Sequence, residues 1–261
     1  MNPLSHRPDL LRRIRSGGTV IGSWLNSGST VLAELMASCG FDFLCVDAEH
    51  SAVDLPDTQR LFQAIRSGCP TCASLVRLHG VDYPFVKRYL DAGADGVIAP
   101  LVRSAAEARL LVQACKYPPD GMRGIGFCRA NGYGATVEDE IRRANQEVLV
   151  AVQIEHAEAI VAIDEILAVP GIDAVFIGPY DLTASLGIPA QFTHPDYMAA
   201  KAKVLSACLR HNIVPGIHAV KPDPNDAKSL LEEGYRLMAY SLDITMVASA
   251  CRLGLARLKY Q

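Results

Sequence analysis

Eight short apolar runs recur along this 261-residue chain, each followed by a longer segment with helical spacing. This alternation constrains the fold more than any other feature. The runs are 20–24, 43–46, 73–77, 96–99, 149–154, 174–177, 214–217 and 237–240. Each is continuous rather than alternating, as expected of strands buried on both faces of a parallel sheet. The helical segments are 30–38, 56–67, 83–92, 104–115, 157–168, 195–211, 222–233 and 242–258. Glycines close the first three, at Gly40, Gly68 and Gly93, and Ser104 supplies an N-cap to the fourth. Eight βα units in about 250 residues is the arithmetic of a (β/α)8 TIM barrel. A doubly wound sheet would want a glycine-rich phosphate turn after its first strand, but that stretch reads GSWLNSGST and holds no GxGxxG. The predicted architecture is therefore one α/β barrel domain spanning 1–261. One connection, 116–146, is longer than the rest and carries an extra amphipathic helix over 136–145.

Composition excludes several classes. Half of the residues are apolar, one-fifth are charged and the formal net charge is −3, so no basic balance points to nucleic acid. No run of about 18 apolar residues exists to span a membrane. The first residues, MNPLSHRPDLLRRIRSGG, are charged throughout and lack the apolar core of a signal peptide, so a cytoplasmic protein is expected. Eight cysteines fall mostly inside apolar runs, as free buried thiols do. Cys69 and Cys72 form a lone CxxC without the second pair that a structural zinc needs, and read as two unpaired thiols in a connecting loop.

In such a barrel the chemistry sits where strands end. The first strand leads to Trp24 and Asn26, the second to Asp47-Ala-Glu49-His50, the third to Arg77, the fifth to Gln153-Ile-Glu155 and the sixth to Gly178-Pro179-Tyr180-Asp181. Ionisable groups in these positions are paired or used, because burial of an unpaired charge is costly. Glu155 and Asp181 end neighbouring strands, and two carboxylates without His or Cys favour a hard divalent cation such as Mg²⁺ or Mn²⁺. The competing reading pairs each with an arginine or makes Asp181 a helix cap. Arg77 suits carboxylate or enolate oxygens, or else a salt bridge to Asp47 or Glu49. His50 is placed to move a proton, or else caps a helix or lies on the surface. Gly178 permits a sharp exit from its strand, and the amides after it point at an anion or form an ordinary turn. No GxSxG elbow, Walker A loop, HExxH or EF-hand loop is present.

The pieces GSWLNSGSTVLAELMASCGFDFLCVDAEHS, LVRL, LDAGADGVIAPLV, KYPPDGMRGIG, VAVQIEHAEAI and GIDAVFIGPYDLTASLG occur in this order over about residues 20–190. Together the chain resembles the class II pyruvate aldolases of the HpcH/HpaI aldolase/citrate lyase family. The resemblance implies a carbon–carbon lyase that joins pyruvate enolate to an aldehyde, or cleaves the resulting 4-hydroxy-2-oxo acid. It implies that Glu155 and Asp181 hold a divalent cation (Mg²⁺, Mn²⁺ or Co²⁺). His50 would be the acid/base, Arg77 the arginine on the enolate side, and Asp47 and Asp91 acids near the histidine. It places Gln153 in the pocket, Trp24 near the aldehyde, and the backbone of Tyr180 and Asp181 on the pyruvate carboxylate. It also implies a homo-oligomer, a trimer of dimers, whose last helix is exchanged between subunits. Tyr180 stands where a small residue is common in the family. A metal-dependent oxaloacetate decarboxylase would need the same enolate site, and a non-catalytic oxoacid-binding barrel would need only part of it.

Overall fold

The structure is a computed structural model and describes residues 9–259. Eight parallel strands close into a barrel in chain order, so the expected (β/α)8 TIM barrel is what the chain forms. The strands are β1 (Val20–Leu25), β2 (Phe43–Asp47), β3 (Ala73–Arg77), β4 (Gly96–Ala99), β5 (Leu149–Ile154), β6 (Ala174–Ile177), β7 (Val214–Ala219) and β8 (Leu237–Leu242). The helices are α1 (Leu10–Arg15), α2 (Thr30–Ser38), α3 (Leu55–Gly68), α4 (Tyr83–Asp91), α5 (Ala105–Cys115) and α6 (Val137–Glu147). They continue with α7 (Ala157–Val161), α8 (Ile163–Leu167), α9 (Pro179–Ser185), α10 (Pro195–His211), α11 (Pro224–Glu233) and α12 (Asp243–Lys259). Three features depart from the sequence pattern. The segment 157–168 breaks at Ala162 into α7 and α8, β6 is followed at once by the short α9, and α1 precedes the barrel.

The two-residue period of the strands sorts the core into two layers. Phe43, Cys45, Leu75, Ile98 and Phe176 fill the barrel, while Leu44, Val46, Val76, Val97 and Ile177 face the helices. The amphipathic α1 adds Leu10, Leu11 and Ile14 to the inner layer, so it plugs the rim where the strands begin.

The same rim carries a repeated device. Gly40-Phe-Asp42, Gly93-Ala-Asp95 and Gly171-Ile-Asp173 each end a helix and start an even-numbered strand. The glycines take φ of +95°, +104° and +98°, a conformation that costs other residues strain. Each aspartate then accepts a backbone N–H from the preceding odd strand, at Ile21, Ser74 and Val150, and pairs with Arg13, Arg66 or Arg15. The device holds one rim closed and leaves the opposite rim for chemistry. All eight cysteines are free thiols. Among the described residues no helix is long and apolar enough to cross a membrane.

Candidate active site

Strand register builds the centre of the opposite rim. Asp47 and Arg77 are direct partners in the β2–β3 ladder, so carboxylate and guanidinium emerge side by side. Arg77 donates from Nε to Asp47 Oδ1 at 2.9 Å and from Nη2 to Oδ2 at 2.6 Å. Its Cζ lies 4.6 Å from the centre of the Trp24 ring. Asp47 is fully buried and also accepts from Asn26 Nδ2 at 2.6 Å and from the amides of Glu49 and His50, each at 3.1 Å. Burial alone would raise its carboxyl. The Arg77 bonds and charge outweigh that and hold it below the ordinary carboxylate range. Arg77 is thus locked by a two-pronged salt bridge to Asp47.

A further aspartate supports this arrangement from the last strand. Asp243 opens α12, is buried, and accepts the amides of Asn26 and Ser27, each at 3.0 Å. It fixes the β1–α2 loop, and through Asn26 it fixes Asp47.

Facing Arg77 are carboxylates. Glu155 follows β5, is buried, and accepts the Leu101 amide at 2.8 Å on Oε1 and the Gln153 side-chain amide on Oε2. Burial, together with the charges of Glu49 and Asp181, pushes it up to about 7 against those hydrogen bonds. Glu49 is likewise pushed up to about 7, by burial and by Asp47 and Asp181, although Arg77 pulls it down. Its Oε2 is buried without a hydrogen bond, 3.4 Å from Arg77 Nε and 3.6 Å from His50 Nε2. Asp181 lies in the first turn of α9 and caps nothing: the cap position is Gly178, without a side-chain bond. The amides of Tyr180 and Asp181 are first-turn donors with no partner inside the helix.

The charge of Asp181 raises both Glu49 and Glu155, so the site is short of positive charge, and a hard divalent cation fits that donor set. Among the described residues no three His, Cys, Asp or Glu side chains are gathered as a complete cage. A cation held by Glu155 and Asp181 would therefore fill its sphere with water and substrate oxygens, as Mg²⁺ usually does.

Trp24, His50, Arg77, Gln153, Gly178, Pro179, Tyr180 and Asp181 line one cavity of about 270 Å³. His50 stands at its mouth with 57% of its side chain exposed. Tyr180 leans edge-on against Phe192, with centroids 5.0 Å apart, and lines both this cavity and an adjoining one. Asp91 is elsewhere. It ends α4, and barrel helices run back against the strands, which puts it toward the rim where strands begin. There it pairs with Arg123 at 2.9 Å and Lys87 at 3.9 Å. Within one chain the His50 ring has Glu49 as an ion-pair partner, at 3.6 Å.

Known proteins share this arrangement of strands. A sequence model of the HpcH/HpaI aldolase/citrate lyase family matches residues 20–250. The chain belongs to that family. It is 37% identical to the hydroxypyruvate/pyruvate aldolase of Sagittula stellata, over 91% of this chain and 92% of that one. It is 36% identical to the 4-hydroxy-2-oxovalerate aldolase of Rhodococcus jostii, over 91% and 90%. A crystal structure of a family member from Burkholderia cenocepacia superposes with a TM-score of 0.92 at 35% identity, covering 96% of this chain and 99% of that one. These relatives are aldolases, which are carbon–carbon lyases, and the enzyme class expected from the sequence stands.

Proposed function

We propose that this chain is a divalent-metal-dependent aldolase that forms and cleaves 4-hydroxy-2-oxo acids from a pyruvate-type enolate and an aldehyde. The observation that carries the reading is one cavity lined by the locked Arg77, Asp181, Gln153 and Gly178, with Glu155 packed against the last two. Glu155 and Asp181 would hold Mg²⁺, Mn²⁺ or Co²⁺, which supplies Lewis-acid polarisation of the 2-oxo acid. Arg77 donates to the oxygen on which charge builds as the enolate forms. The amides of Tyr180 and Asp181 receive the carboxylate. His50 gives a proton to the aldehyde oxygen during addition and removes it during cleavage. Asp47 keeps Arg77 in place throughout.

The test uses EDTA-stripped protein and pyruvate in D₂O, with the methyl proton signal followed by NMR. Exchange is expected only after Mg²⁺ or Mn²⁺ is restored, and not in Asp181→Ala. No exchange with any divalent metal in folded protein would remove pyruvate as the nucleophile. His50→Ala is expected to slow retro-aldol turnover by about 10²-fold, the lower end for a general acid/base, because water reaches its exposed position. An unchanged turnover would take His50 out of the mechanism.

The reading extends to assembly. Of α12 only Asp243 is buried, while Ile244, Val247, Leu253, Leu255 and Leu258 are exposed. A 17-residue helix with that apolar content covers a neighbour. This supports a homo-oligomer in which α12 is exchanged between subunits, as in a trimer of dimers. Sedimentation of a chain ending before α12 would show loss of the oligomer.

A further inference from the structure

The Cys69-Pro70-Thr71-Cys72 motif has no part in the chemistry above. It joins α3 to β3 at the rim where strands begin, away from the candidate active site. The Cys72 amide donates to the Cys69 carbonyl at 3.1 Å, which closes a β-turn with Pro70 at its second position. The fixed φ of proline suits that position. A turn of this kind holds its end Cα atoms within about 7 Å, and a disulfide spans Cα separations of about 4.4–6.8 Å. Arg66 pins the turn: its Nη1 donates to the Pro70 carbonyl at 2.8 Å, while Nη2 pairs with Asp95 at 3.2 Å.

The two thiols meet one part of the core and differ in access. Cys72 is fully buried in the layer between strands and helices, and Cys69, half-buried, packs against the same layer. Cys69 Sγ lies 3.2 Å from the hydroxyl of exposed Thr71. That hydroxyl and the Thr71 amide hold the Cys69 thiol below its ordinary value, against burial, and the Arg66 charge adds to the effect. Burial, followed by the charge of Cys69, pushes the Cys72 thiol up to about 12. One member is an accessible nucleophile and the other a covered thiol beside it, the arrangement of an attacking and a resolving cysteine. No other two cysteines of the chain stand within three residues of each other.

We propose that Cys69 and Cys72 are a reversible dithiol–disulfide site that exchanges with low-molecular-weight disulfides of the glutathione class. The Cys69 thiolate attacks one sulfur of the small disulfide, whose S–S bond breaks and releases one thiolate. Cys72 then attacks Cys69 Sγ in the mixed disulfide, the bridge between the two cysteines forms, and the second small thiolate leaves. The two released thiolates take up the two protons of the cysteine thiols. The pair thus loses two electrons and two protons, and the small disulfide becomes two thiols. The site stands apart from the aldolase reading, and failure of either leaves the other in place.

The test incubates the reduced full chain with oxidised glutathione at neutral pH, removes the excess, alkylates in urea and digests with trypsin. Cleavage after Arg66 and Arg77 puts both cysteines on one peptide, 67–77. In the wild type, mass spectrometry is expected to show that peptide lighter by two hydrogens, with no alkyl group and no glutathione. Dithiothreitol before alkylation should restore two alkylation sites. Cys72→Ala should instead retain one glutathione on Cys69. Cys69→Ala should slow modification of the peptide by about tenfold or more, since only the buried thiol is left. Far-UV circular dichroism before and after oxidation should be the same, because the bridge forms in the folded barrel. A wild-type peptide that stays fully alkylatable would overturn the proposal, whether or not the variants fold. So would a glutathione adduct that persists on Cys69 of the wild type, or a bridge that forms only when the oxidation itself is carried out in urea.

Discussion

Gly178→Ala is expected to lower retro-aldol kcat/KM by about 10³-fold while the barrel stays folded. The backbone at Gly178 is ordinary, with φ −92° and ψ 97°, so the glycine is not needed for its freedom of rotation. It is needed for space. A Cβ there would lie 2.4 Å from Glu155 Oε2 and 3.0 Å from Glu155 Cβ, where ordinary contact begins near 3.4 Å. The Glu155 carboxylate has nowhere to retreat, being buried between the Leu101 amide and the Gln153 side chain. A shift of about 1 Å in a positioned group costs about 10²-fold in rate. The same shift weakens one of the two carboxylates assigned to the cation, which adds to the loss. Activity, Mn²⁺ affinity and far-UV circular dichroism measured together check the account. Full activity would mean that Glu155 is free to move, and that its fixed position has no function.

That glycine marks the boundary of what the sequence could reveal. The strand ends were legible because a charge after an apolar run stands out: Arg77 after SLV and Glu155 after VAVQI need a reason. Barrel closure then brings them to one rim without knowledge of any distance. Strand β2 shows the limit. Asp47 and Glu49 are two residues apart and equivalent by spacing, yet one is pinned by Arg77 and held low while the other is left without a hydrogen bond and pushed up. Which carboxylate locks the arginine follows from the β2–β3 register and not from composition. His218 is legible in the sequence only as a histidine near a strand end that could join the pocket, and its place against the Trp24 ring follows from barrel closure. Asp91 is a different case: the resemblance implies a place near the histidine, whereas within one chain the topology carries the end of α4 to the other rim, where Asp91 pairs with Arg123. Helix α1 was obscured by its arginines, which surround the three apolar residues that plug the barrel. The break at Ala162 between α7 and α8 has no signal in residue type, because alanine is the best helix former.

Asp47→Ala is expected to destabilise the fold by about 3–5 kcal/mol, the cost of removing one partner from a buried ion pair. Asp47 is fully buried and Arg77 is 14% exposed, so the guanidinium would keep its charge in a poorly solvated place. Two backbone amides and the Asn26 side chain lose their acceptor as well. Glu49, 3.4 Å from Arg77, can take up part of the charge, which puts the loss toward the lower figure. Asp47→Asn separates charge from shape, since it retains an acceptor for the amides but sets an NH₂ group against Arg77. The carboxyl is held below its ordinary value of 3.8, so its contribution is present above that pH and is lost as pH falls through the folded value. The gap in urea midpoint between wild type and Asp47→Asn should therefore be constant from neutral pH down to about 4 and narrow below it. Trp24, with Arg77 over its ring, reports the same change by fluorescence. A gap that stayed level into stronger acid would show that Asp47 acts as an acceptor only, and that its charge does not hold the arginine.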